Sequence, residues 1–327
     1  MVKIGSGKRI RKKIRKNIRK PNIKKPHIKL KHREPERTIK AISEMKIQGA
    51  REIAKAAIKS MGEVAKNSNI SNKREFLAKL ESTKKQLVAS RPTEPMLRNV
   101  LSFIINEASK YEGDNITRYT HLFSGNYLNE LEMDLDKLIR IGAESIQKRD
   151  VILTNCHSNT IVEIFKKAKK KVNFSVIVTE TRPRNQGLIT AKELTKAGIE
   201  VTLCVDSAIG TVMDRVTKVI VGSDAILADG SVVNRIGTLP IAMVAKKFNT
   251  PFYVIGETLK YDSKTAMGQL EPIEQGDPKE VLSPKKIKGL KIINPAFDVT
   301  PEEYIHSLIT EKGIMKPEVL RTVVKLK

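Results

Sequence analysis

The first part of the chain spaces its apolar residues three and four positions apart, which is the period of an amphipathic helix. The pattern covers residues 34–147 and is broken at Gly49. It repeats over Asn99–Ser109 and Tyr127–Gln147, and Asn72–Glu75 has the polar spacing of a capping box at the start of another helix. We therefore predict a helical N-terminal domain over residues 34–147.

The period changes at Asp150, where short apolar runs begin to alternate with helical patterns. The runs that we interpret as strands are Val151–Thr154, Phe174–Thr179, Val201–Val205, Lys218–Val221 and Phe252–Ile255. Strands that alternate with helices are typical of a parallel sheet covered on both faces. The predicted fold class is α/β: the helical domain is followed by a Rossmann-like parallel sheet domain over residues 148–327, with helices on both faces of the sheet.

Polar loops follow the predicted strands. In parallel sheets of this kind, ligands bind just beyond the carboxyl ends of the strands. The loops selected by that rule are Asn155–Thr160, Glu180–Gly187, Asp206–Thr211, Gly222–Thr238 and Glu257–Lys260. We expect the functional site among them.

Positive charge is concentrated at the N-terminus. Residues 1–40 contain 17 Lys or Arg and two Glu, so they carry +15 of the net charge of +25. Their apolar positions are mostly single isoleucines, which cannot form a core, and we predict that residues 1–33 are a disordered basic tail. Such a tail attracts polyanions, but it lacks aromatic residues that stack on bases. Both a solvated extension and a weak contact with RNA fit this composition.

The chain has 327 residues and only two cysteines, Cys156 and Cys204, which are too few for a disulfide framework and indicate a reducing compartment. No apolar run reaches the roughly 18–20 residues that cross a bilayer, and no signal-peptide pattern is visible. We predict a cytoplasmic protein without a membrane contact.

Two strand ends carry residues suited to proton transfer. Cys156 follows the first predicted strand, and Ser158 opens a helix whose N-terminus favours a thiolate. A single cysteine is also commonly a small buried apolar residue. Asp224 follows the fourth strand and suits acid–base chemistry if burial raises its pKa. An Asx turn or a helix cap is the alternative reading of that aspartate.

Phosphate-binding candidates lie in two other loops. Asn234–Thr238 opens a helix with a glycine and a hydroxyl, which suits a phosphate. Arg182 and Arg184 can either clamp phosphate or pair with Glu180. No segment has metal-ligand spacing, and neither a Gly-x-Gly-x-x-Gly nor a Walker loop is present, so we expect neither a metal nor a nucleotide cofactor.

Taken together, these loops resemble a known family over Lys40–Pro317. The family joins the regulatory α, β and δ subunits of eukaryotic initiation factor 2B to two sugar-phosphate isomerases, methylthioribose-1-phosphate isomerase and archaeal ribose-1,5-bisphosphate isomerase. The segments that carry the resemblance are Ile47–Arg51, Leu153–Ser158, Glu180–Gly187, Gly222–Ala225, Asn234–Thr238, Glu257–Lys260 and Asn294–Pro301.

Within this family, Cys156, Asp224 and the loop Glu180–Pro183 have the form found in the isomerases, whereas the initiation-factor members generally lack the cysteine. Glu257–Lys260 and Met267–Leu270 look like the ribose-bisphosphate enzyme. The resemblance implies that Cys156 accepts a proton and Asp224 donates one. The substrate contacts that it implies are Gln48, Gly49, Ala50, Arg51, Arg91, Ser158, Asn159, Thr160, Asn234, Arg235 and Lys260.

Some positions depart from the family pattern. The N-terminal loop, usually Arg-Gly-Ala-Gly, reads Gln48-Gly-Ala-Arg51 here, and Asn159 and Arg235 each replace a lysine. Asp206–Gly210 leans toward the initiation-factor pattern. The proton-transfer pair is intact while the phosphate-binding residues are altered, so the departures concern the identity of the substrate rather than the capacity for catalysis.

The resemblance implies an enzyme, an intramolecular oxidoreductase of the aldose–ketose isomerase type that needs no cofactor. Its substrate is a phosphorylated pentose, with ribose 1,5-bisphosphate converted to ribulose 1,5-bisphosphate in archaeal nucleotide (AMP) salvage, and its assembly is a homodimer or a hexamer. Two alternatives stay open. One is a non-catalytic archaeal translation initiation factor 2B-like subunit that binds initiation factor 2 and promotes guanine-nucleotide exchange, and the other is a methylthioribose-1-phosphate isomerase.

Overall fold

The structure is a computed structural model. It describes residues 34–44, 46–47, 49–267, 273–282, 287 and 289–324. The predicted tail, residues 1–33, lies outside this part of the chain, as do Gln48 and residues 268–270 of the Met267–Leu270 motif.

Five helices form the N-terminal part of the described chain. They are α1 (Glu34–Ser43), α2 (Ala50–Lys66), α3 (Lys73–Ala89), α4 (Pro95–Lys110) and α5 (Ile116–Glu144). The predicted break at Gly49 is confirmed, because this residue has a φ of 83° that a glycine adopts without strain. The predicted cap at Asn72 is also confirmed, since its side chain accepts a hydrogen bond from the Glu75 amide.

The predicted start of the last of these helices, at Tyr127, was eleven residues too late, because α5 begins at Ile116. The reason is that α5 turns Thr120 and Ser124 toward the core, where their hydroxyls bond to backbone carbonyls one turn earlier. Small polar residues at these core positions hide the apolar period from a reading of the sequence.

The second part of the described chain contains eleven strands and five further helices. The strands are β1 (Val151–Thr154), β2 (Ser175–Thr179), β3 (Glu200–Cys204), β4 (Lys218–Val221), β5 (Ala225–Leu227), β6 (Val232–Arg235), β7 (Phe252–Ile255), β8 (Tyr261–Asp262), β9 (Phe297–Thr300), β10 (Ser307–Thr310) and β11 (Gly313–Met315). The helices are α6 (Asn159–Lys169), α7 (Gly187–Lys196), α8 (Ile209–Val212), α9 (Thr238–Lys247) and α10 (Leu320–Val323).

Seven of these strands form one sheet in the order β11-β10-β7-β4-β1-β2-β3. All neighbours are parallel except β10 and β11. Successive residues of a strand point to opposite faces, and here both faces are buried: Leu153 belongs to one apolar core and Ile152 to another. The predicted parallel sheet with helices on both faces is therefore confirmed.

A second sheet has the order β8-β5-β6-β9, and its β5 and β6 lie inside the segment that we predicted as a loop, Gly222–Thr238. That prediction was wrong because strands of two to four residues are too short to show a period. This small sheet places Asn234 and Arg235 at the end of β6, and Gly237, with a φ of 100°, then opens α9.

The helical part has an apolar core of its own, yet it packs on the sheet as part of one compact unit. One polar contact between the two parts is buried, where Arg98 on α4 bonds to Asp262 at 2.7 Å. Asn99 donates to the carbonyls of Leu259 and Tyr261, each at 2.8 Å. The division into domains 34–147 and 148–327 stays a prediction. In the described residues, no helix is both long and apolar enough to cross a membrane.

Candidate active site

A cavity of about 380 Å³ lies where the carboxyl ends of β1 and β4 face the N-terminal helices. Twelve of the thirteen predicted site residues line it, and Gln48 lies outside the described residues. The twelve are Gly49, Ala50, Arg51, Arg91, Cys156, Ser158, Asn159, Thr160, Asp224, Asn234, Arg235 and Lys260. Their roles stay predictions, but the fold brings them together around one space of the size that holds a small ligand.

Cys156 occupies a constrained turn directly after β1. Its φ of 68° lies in the left-handed region, which is unfavourable for residues other than glycine and typically marks functional sites. The Cys156 amide donates to the Thr181 hydroxyl at 2.8 Å, and the Thr190 hydroxyl donates to its carbonyl at 2.8 Å. These bonds hold the thiol at the cavity, with Sγ 3.5 Å from Oε1 of Gln186.

The thiol is less acidic than the sequence suggested. Burial raises the pKa of Cys156, whereas the Arg235 guanidinium and the His157 amide act in the opposite direction. The expected lowering of the thiol pKa by the N-terminus of α6 is therefore not the dominant effect. Ser158 caps α6 through a 3.5 Å bond from the Ile161 amide, and the desolvated thiol depends on Arg235 for stabilisation of its thiolate.

Asp224 follows β4, the neighbour of β1 in the sheet, and also lines the cavity. Its amide donates to the Val233 carbonyl at 2.9 Å, which fixes its backbone against β6. In the described part of the chain its carboxyl group makes no hydrogen bond that would form a helix cap or an Asx turn. The side chain is thus available to a ligand in the cavity.

Arg235 is a cation held without a carboxylate partner among the described residues. Its guanidinium carbon lies 4.8 Å from the centre of the Phe297 ring, and Nη1 donates to the Ala296 carbonyl at 3.3 Å. The turn that follows is anchored by Asp298, whose carboxylate accepts from the amides of Gly237 and Leu239. The Nε atom of Arg235 is buried and lacks a hydrogen-bond acceptor in the described structure, so Arg235 can bind an anion beside Cys156.

Arg51, by contrast, is paired with carboxylates, although its Nε atom is also buried without an acceptor among the described residues. It bonds to Glu257, to the Leu131 carbonyl at 2.7 Å and to Glu132 at 3.2 Å. The Glu257 side chain is buried, and this burial raises its pKa while Arg51 lowers it. Arg51 therefore already neutralises a buried carboxylate before any ligand arrives.

Arg91 is also close to acidic groups, with Nε 3.6 Å from Glu94 and Nη1 3.5 Å from Glu274. Lys260 donates to the Ser223 carbonyl at 2.5 Å. Arg51 and Arg91 are thus paired with carboxylates, unlike Arg235, whereas the hydrogen bond of Lys260 goes to a backbone carbonyl.

Two sequence alternatives for the Glu180–Gly187 loop can now be separated. Arg184 pairs with Glu280 at 2.7 Å, and Arg182 donates to the Val281 carbonyl at 3.4 Å. Neither bonds to Glu180 among the described residues, so the proposed pairing with Glu180 was wrong. Arg184 lines the cavity, whereas Arg182 does not.

Reasoning from the sequence missed three residues at the site. Asn155 accepts hydrogen bonds from Thr179 and Thr181 and so shapes the Cys156 turn. Gln186 contacts the thiol, and Glu94 is a buried acid in the cavity wall. The signal for Glu94 was its place between two prolines, directly before an apolar helix, where a charged residue is expected to need a partner or a function.

No group of three His, Cys, Asp or Glu side chains within the described residues is arranged to hold a metal ion. The polar side chains of the cavity are instead a thiol, carboxyl groups, amides and cations. Such a set suits proton transfer on an anionic substrate.

Comparison with known sequences identifies the group of proteins with this fold and site. The profile of the Initiation factor 2 subunit family matches residues 46–317. The chain belongs to this family. Cys156 and Asp224 of this chain both line the cavity.

The chain is similar to the ribose 1,5-bisphosphate isomerase of Methanocaldococcus jannaschii, with 38% identity over 86% of this chain and 91% of that one. It is also similar to the 5-deoxyribose 1-phosphate isomerase of Moorella thermoacetica, with 34% identity over 88% of this chain and 87% of that one. Among solved structures, the chain is similar to the translation initiation factor eIF-2B of Pyrococcus horikoshii OT3, and the two folds superpose with a TM-score of 0.72. The two share 29% identity over 86% of this chain and 97% of that one.

Proposed function

We propose that this protein is an aldose–ketose isomerase that converts ribose 1,5-bisphosphate to ribulose 1,5-bisphosphate. The observation that carries the proposal is that Cys156 and Asp224, from two different strand ends, face one cavity that also contains the uncompensated Arg235. Isomerase relatives covering most of the chain, at up to 38% identity, support it. The two cysteines per chain favour a cytoplasmic location.

The two groups suit the ring opening of an aldose 1-phosphate. The Cys156 thiolate takes the proton from C2, the C–H electron pair becomes the C1–C2 double bond, and the bond between C1 and the ring oxygen breaks. The ring oxygen takes its proton from the Asp224 carboxyl. Cys156 then returns its proton to C1 while the C2 hydroxyl proton passes to Asp224, which leaves a C2 ketone with phosphate still on C1.

The cavity offers two anion sites for the substrate's phosphates. One combines Arg235 with Ser158 and the first amides of α6. The other is the start of α2 at Gly49, where no side chain of the described residues caps the helix and the first residues border the cavity. A helix N-terminus favours an anion through its dipole and its unpaired N–H groups.

Incubation of the purified protein with α-ribose 1,5-bisphosphate tests the proposal. Phosphorus NMR should show ribulose 1,5-bisphosphate forming without release of inorganic phosphate. The assay should be repeated with added nucleotides, since an activator can control turnover. If no product forms under any of these conditions, the isomerase proposal fails and a non-catalytic initiation-factor role becomes the better account.

A second candidate is an isomerase for a pentose 1-phosphate without a 5-phosphate. The pairing of Arg51 with Glu257 and of Arg91 with Glu94 and Glu274 favours it, because a second phosphate would have to compete with these carboxylates. Rates with 5-deoxyribose 1-phosphate and methylthioribose 1-phosphate should be measured beside the bisphosphate. This candidate is rejected if kcat/KM for the bisphosphate exceeds the values for both monophosphates by more than about ten-fold. That ratio corresponds to about 1.4 kcal/mol of transition-state stabilisation.

A homodimer is the assembly that we propose. The edge strand β3 and the neighbouring α7 expose apolar side chains, including Leu203 at 45% and Ile189 at 46%. Contiguous apolar surface of this kind commonly marks a protein contact. Light scattering after size-exclusion chromatography measures the assembly, and Leu203→Lys should weaken the dimer. A monomeric wild-type protein would contradict the dimer, and a dimer that Leu203→Lys leaves unchanged would contradict this surface as its interface.

A further inference from the structure

Two threonine hydroxyls fix Cys156 in its left-handed turn, one on each side of its backbone. The Cys156 amide donates to Thr181 and the Cys156 carbonyl accepts from Thr190, each at 2.8 Å. Thr181 in turn donates to Asn155. Because a φ of 68° is unfavourable for a residue other than glycine, the position of the thiol depends on both of these bonds.

The start of α7 supplies both the bond to the Cys156 carbonyl and the contact with its thiol. Gln186, at the N-terminal cap position of α7, has its Oε1 atom 3.5 Å from Sγ, and Thr190 follows four residues later. Residues with this spacing lie on one face of a helix. Thr190 is only 1% exposed, so its hydrogen bonds are not open to competition from bulk water. One face of α7 thus holds the backbone and the side chain of Cys156.

The imidazole of His157 lies against the same hydroxyl. Its Nδ1 atom is 3.0 Å from Oγ1 of Thr190. A hydroxyl has a single proton, and that of Thr190 goes to the Cys156 carbonyl, which can only accept. Towards His157 the hydroxyl can therefore only accept a hydrogen bond. The proton of the neutral ring consequently belongs on Nδ1.

The second ring nitrogen of His157 is compatible with this assignment. Nε2 lies 3.0 Å from the side-chain oxygen of Asn159 and 3.9 Å from Glu193, whose other oxygen lies 3.3 Å from Lys166. The amide of Asn159 contains both an acceptor and a donor, so it can bond to Nε2 with or without a proton there. Nδ1 therefore keeps its proton, and its bond to Thr190, in both charge states of the ring.

We propose that His157 is a positioning residue: its Nδ1–H orients the Thr190 hydroxyl, which holds the Cys156 carbonyl and so keeps the thiol at the cavity. The role in catalysis rests on the isomerase function proposed above, whereas the chain of bonds from His157 to Cys156 does not. His157 exchanges no proton with the substrate. Without it, the Thr190 hydroxyl is free to rotate away and the turn at Cys156 can relax.

The first test needs no activity. Proton–nitrogen correlation NMR of the histidine rings should show the proton of neutral His157 on Nδ1, with the signal assigned by its absence from His157→Asn. Thr190→Ser keeps the hydroxyl and should preserve this form of the ring. Thr190→Val removes the acceptor and should abolish the preference for it. A wild-type protein whose neutral His157 carries its proton on Nε2 would overturn the proposal.

Two substitutions of His157 separate the Nδ1 atom from the rest of the ring. The side-chain nitrogen of asparagine can take the place of Nδ1, whereas that of glutamine lies one bond further out and can take the place of Nε2. Burial and the Arg235 guanidinium together set the reactivity of the Cys156 thiol, so relaxation of the turn should alter it.

Alkylation of Cys156 by iodoacetamide measures this reactivity, in a Cys204→Ser background so that a single cysteine reacts. The rate at pH 8 should change by about three-fold or more in His157→Gln and stay within about two-fold in His157→Asn. Equal rates in the two variants would contradict the proposal.

Kinetics give the reading that concerns catalysis. His157→Gln and Thr190→Val should each lower kcat by about ten-fold while KM stays within about two-fold, because the change acts on the thiol rather than on the phosphate contacts. The double variant should lose little more than either single variant, since both interrupt one chain of bonds. His306→Gln is the matched control, because His306 packs on Tyr253 and is not among the residues that line the cavity.

The outcomes separate the two proposals. If His157→Asn lowers kcat as much as His157→Gln, the bond from Nδ1 is not what matters and the inference is wrong. If KM rises while kcat is unchanged, His157 contacts the substrate instead, and the inference is also wrong. If the wild-type protein has no isomerase activity while the NMR and alkylation results are as expected, the function fails and the positioning of Cys156 by His157 stands.

Discussion

On one side of the cavity, Asp224 and Arg235 have no ion-pair partner among the described residues, and they flank the thiol of Cys156. On the other side, Arg51 and Arg91 each face two carboxylates. We refer to Cys156, Asp224 and Arg235, which lie at strand ends, as the sheet wall. Arg51, Arg91 and Glu94, which lie in the helical part, are the helix wall. The two walls border the same space but differ in how their charges are compensated.

The difference in charge compensation indicates which residues can react and which cations are already occupied. Groups without partners on the sheet wall keep their capacity to exchange protons or bind an anion. Cations on the helix wall already face carboxylates, and the hydrogen bonds of Arg51 to charged groups contribute about 1.5–3 kcal/mol each. A phosphate at the helix wall must displace a carboxylate, so net charge alone does not show which cations bind substrate.

The largest effect is expected for Cys156→Ser on the sheet wall. A serine hydroxyl does not ionise near neutral pH, so the rate should fall by about 10³-fold or more, while substrate still binds. The Cys204→Ser variant is the matched control, because Cys204 lies on β3 away from the cavity. Retention of more than about a tenth of the wild-type rate would remove Cys156 from the role of base.

Arg235→Ala should be the next most damaging change. It removes an uncompensated cation from the site, and the expected loss of about 2–3 kcal/mol corresponds to roughly 30- to 150-fold in kcat/KM. Arg235 also lowers the pKa of the Cys156 thiol, so its removal should slow alkylation of Cys156 by iodoacetamide at pH 8. Unchanged alkylation would show that the guanidinium does not stabilise the thiolate.

Arg51→Ala on the helix wall should raise the KM for the bisphosphate by about ten-fold if Arg51 also binds phosphate, and Arg51→Lys should cost less. The same change leaves the buried Glu257 unpaired and should lower the free energy of unfolding by about 3 kcal/mol.

The double variant Arg51→Ala/Glu257→Gln separates the two roles of Arg51. It removes the buried charge together with its partner and should restore most of the stability. If it also restores the KM, Arg51 acts only within the fold, and the comparison between the walls becomes sharper. If the KM stays high, Arg51 binds the substrate directly.

Deletion of residues 1–33 should have the smallest effect on catalysis. These residues carry 15 Lys or Arg and no acidic residue, and they contain few apolar side chains. Isomerase rate and Tm should stay within error of the full chain, while retention on immobilised RNA at low salt should fall. A truncated protein that loses turnover would assign the segment a structural role.

Much of the sheet wall could be predicted from local sequence. Val151–Thr154, Lys218–Val221 and Phe252–Ile255 were predicted as strands with the bounds that they have in the structure, because a buried parallel strand is a continuous apolar run. The loops after them could be selected because ligands bind at such ends. The small second sheet could not be predicted, since its strands are held by pairing partners elsewhere in the chain.

The sequence by itself determined the helical N-terminal part, the main strands of the parallel sheet, the break at Gly49 and the placement of Cys156 and Asp224 at strand ends, because these depend on residues a few positions apart. Only the tertiary structure decided which charges are free. Arg51 bonds to Glu257 across 206 positions, and Arg91 faces Glu274 from a different segment. Electrostatic energy depends on distance and burial in space, and neither can be derived from the spacing of residues along the chain.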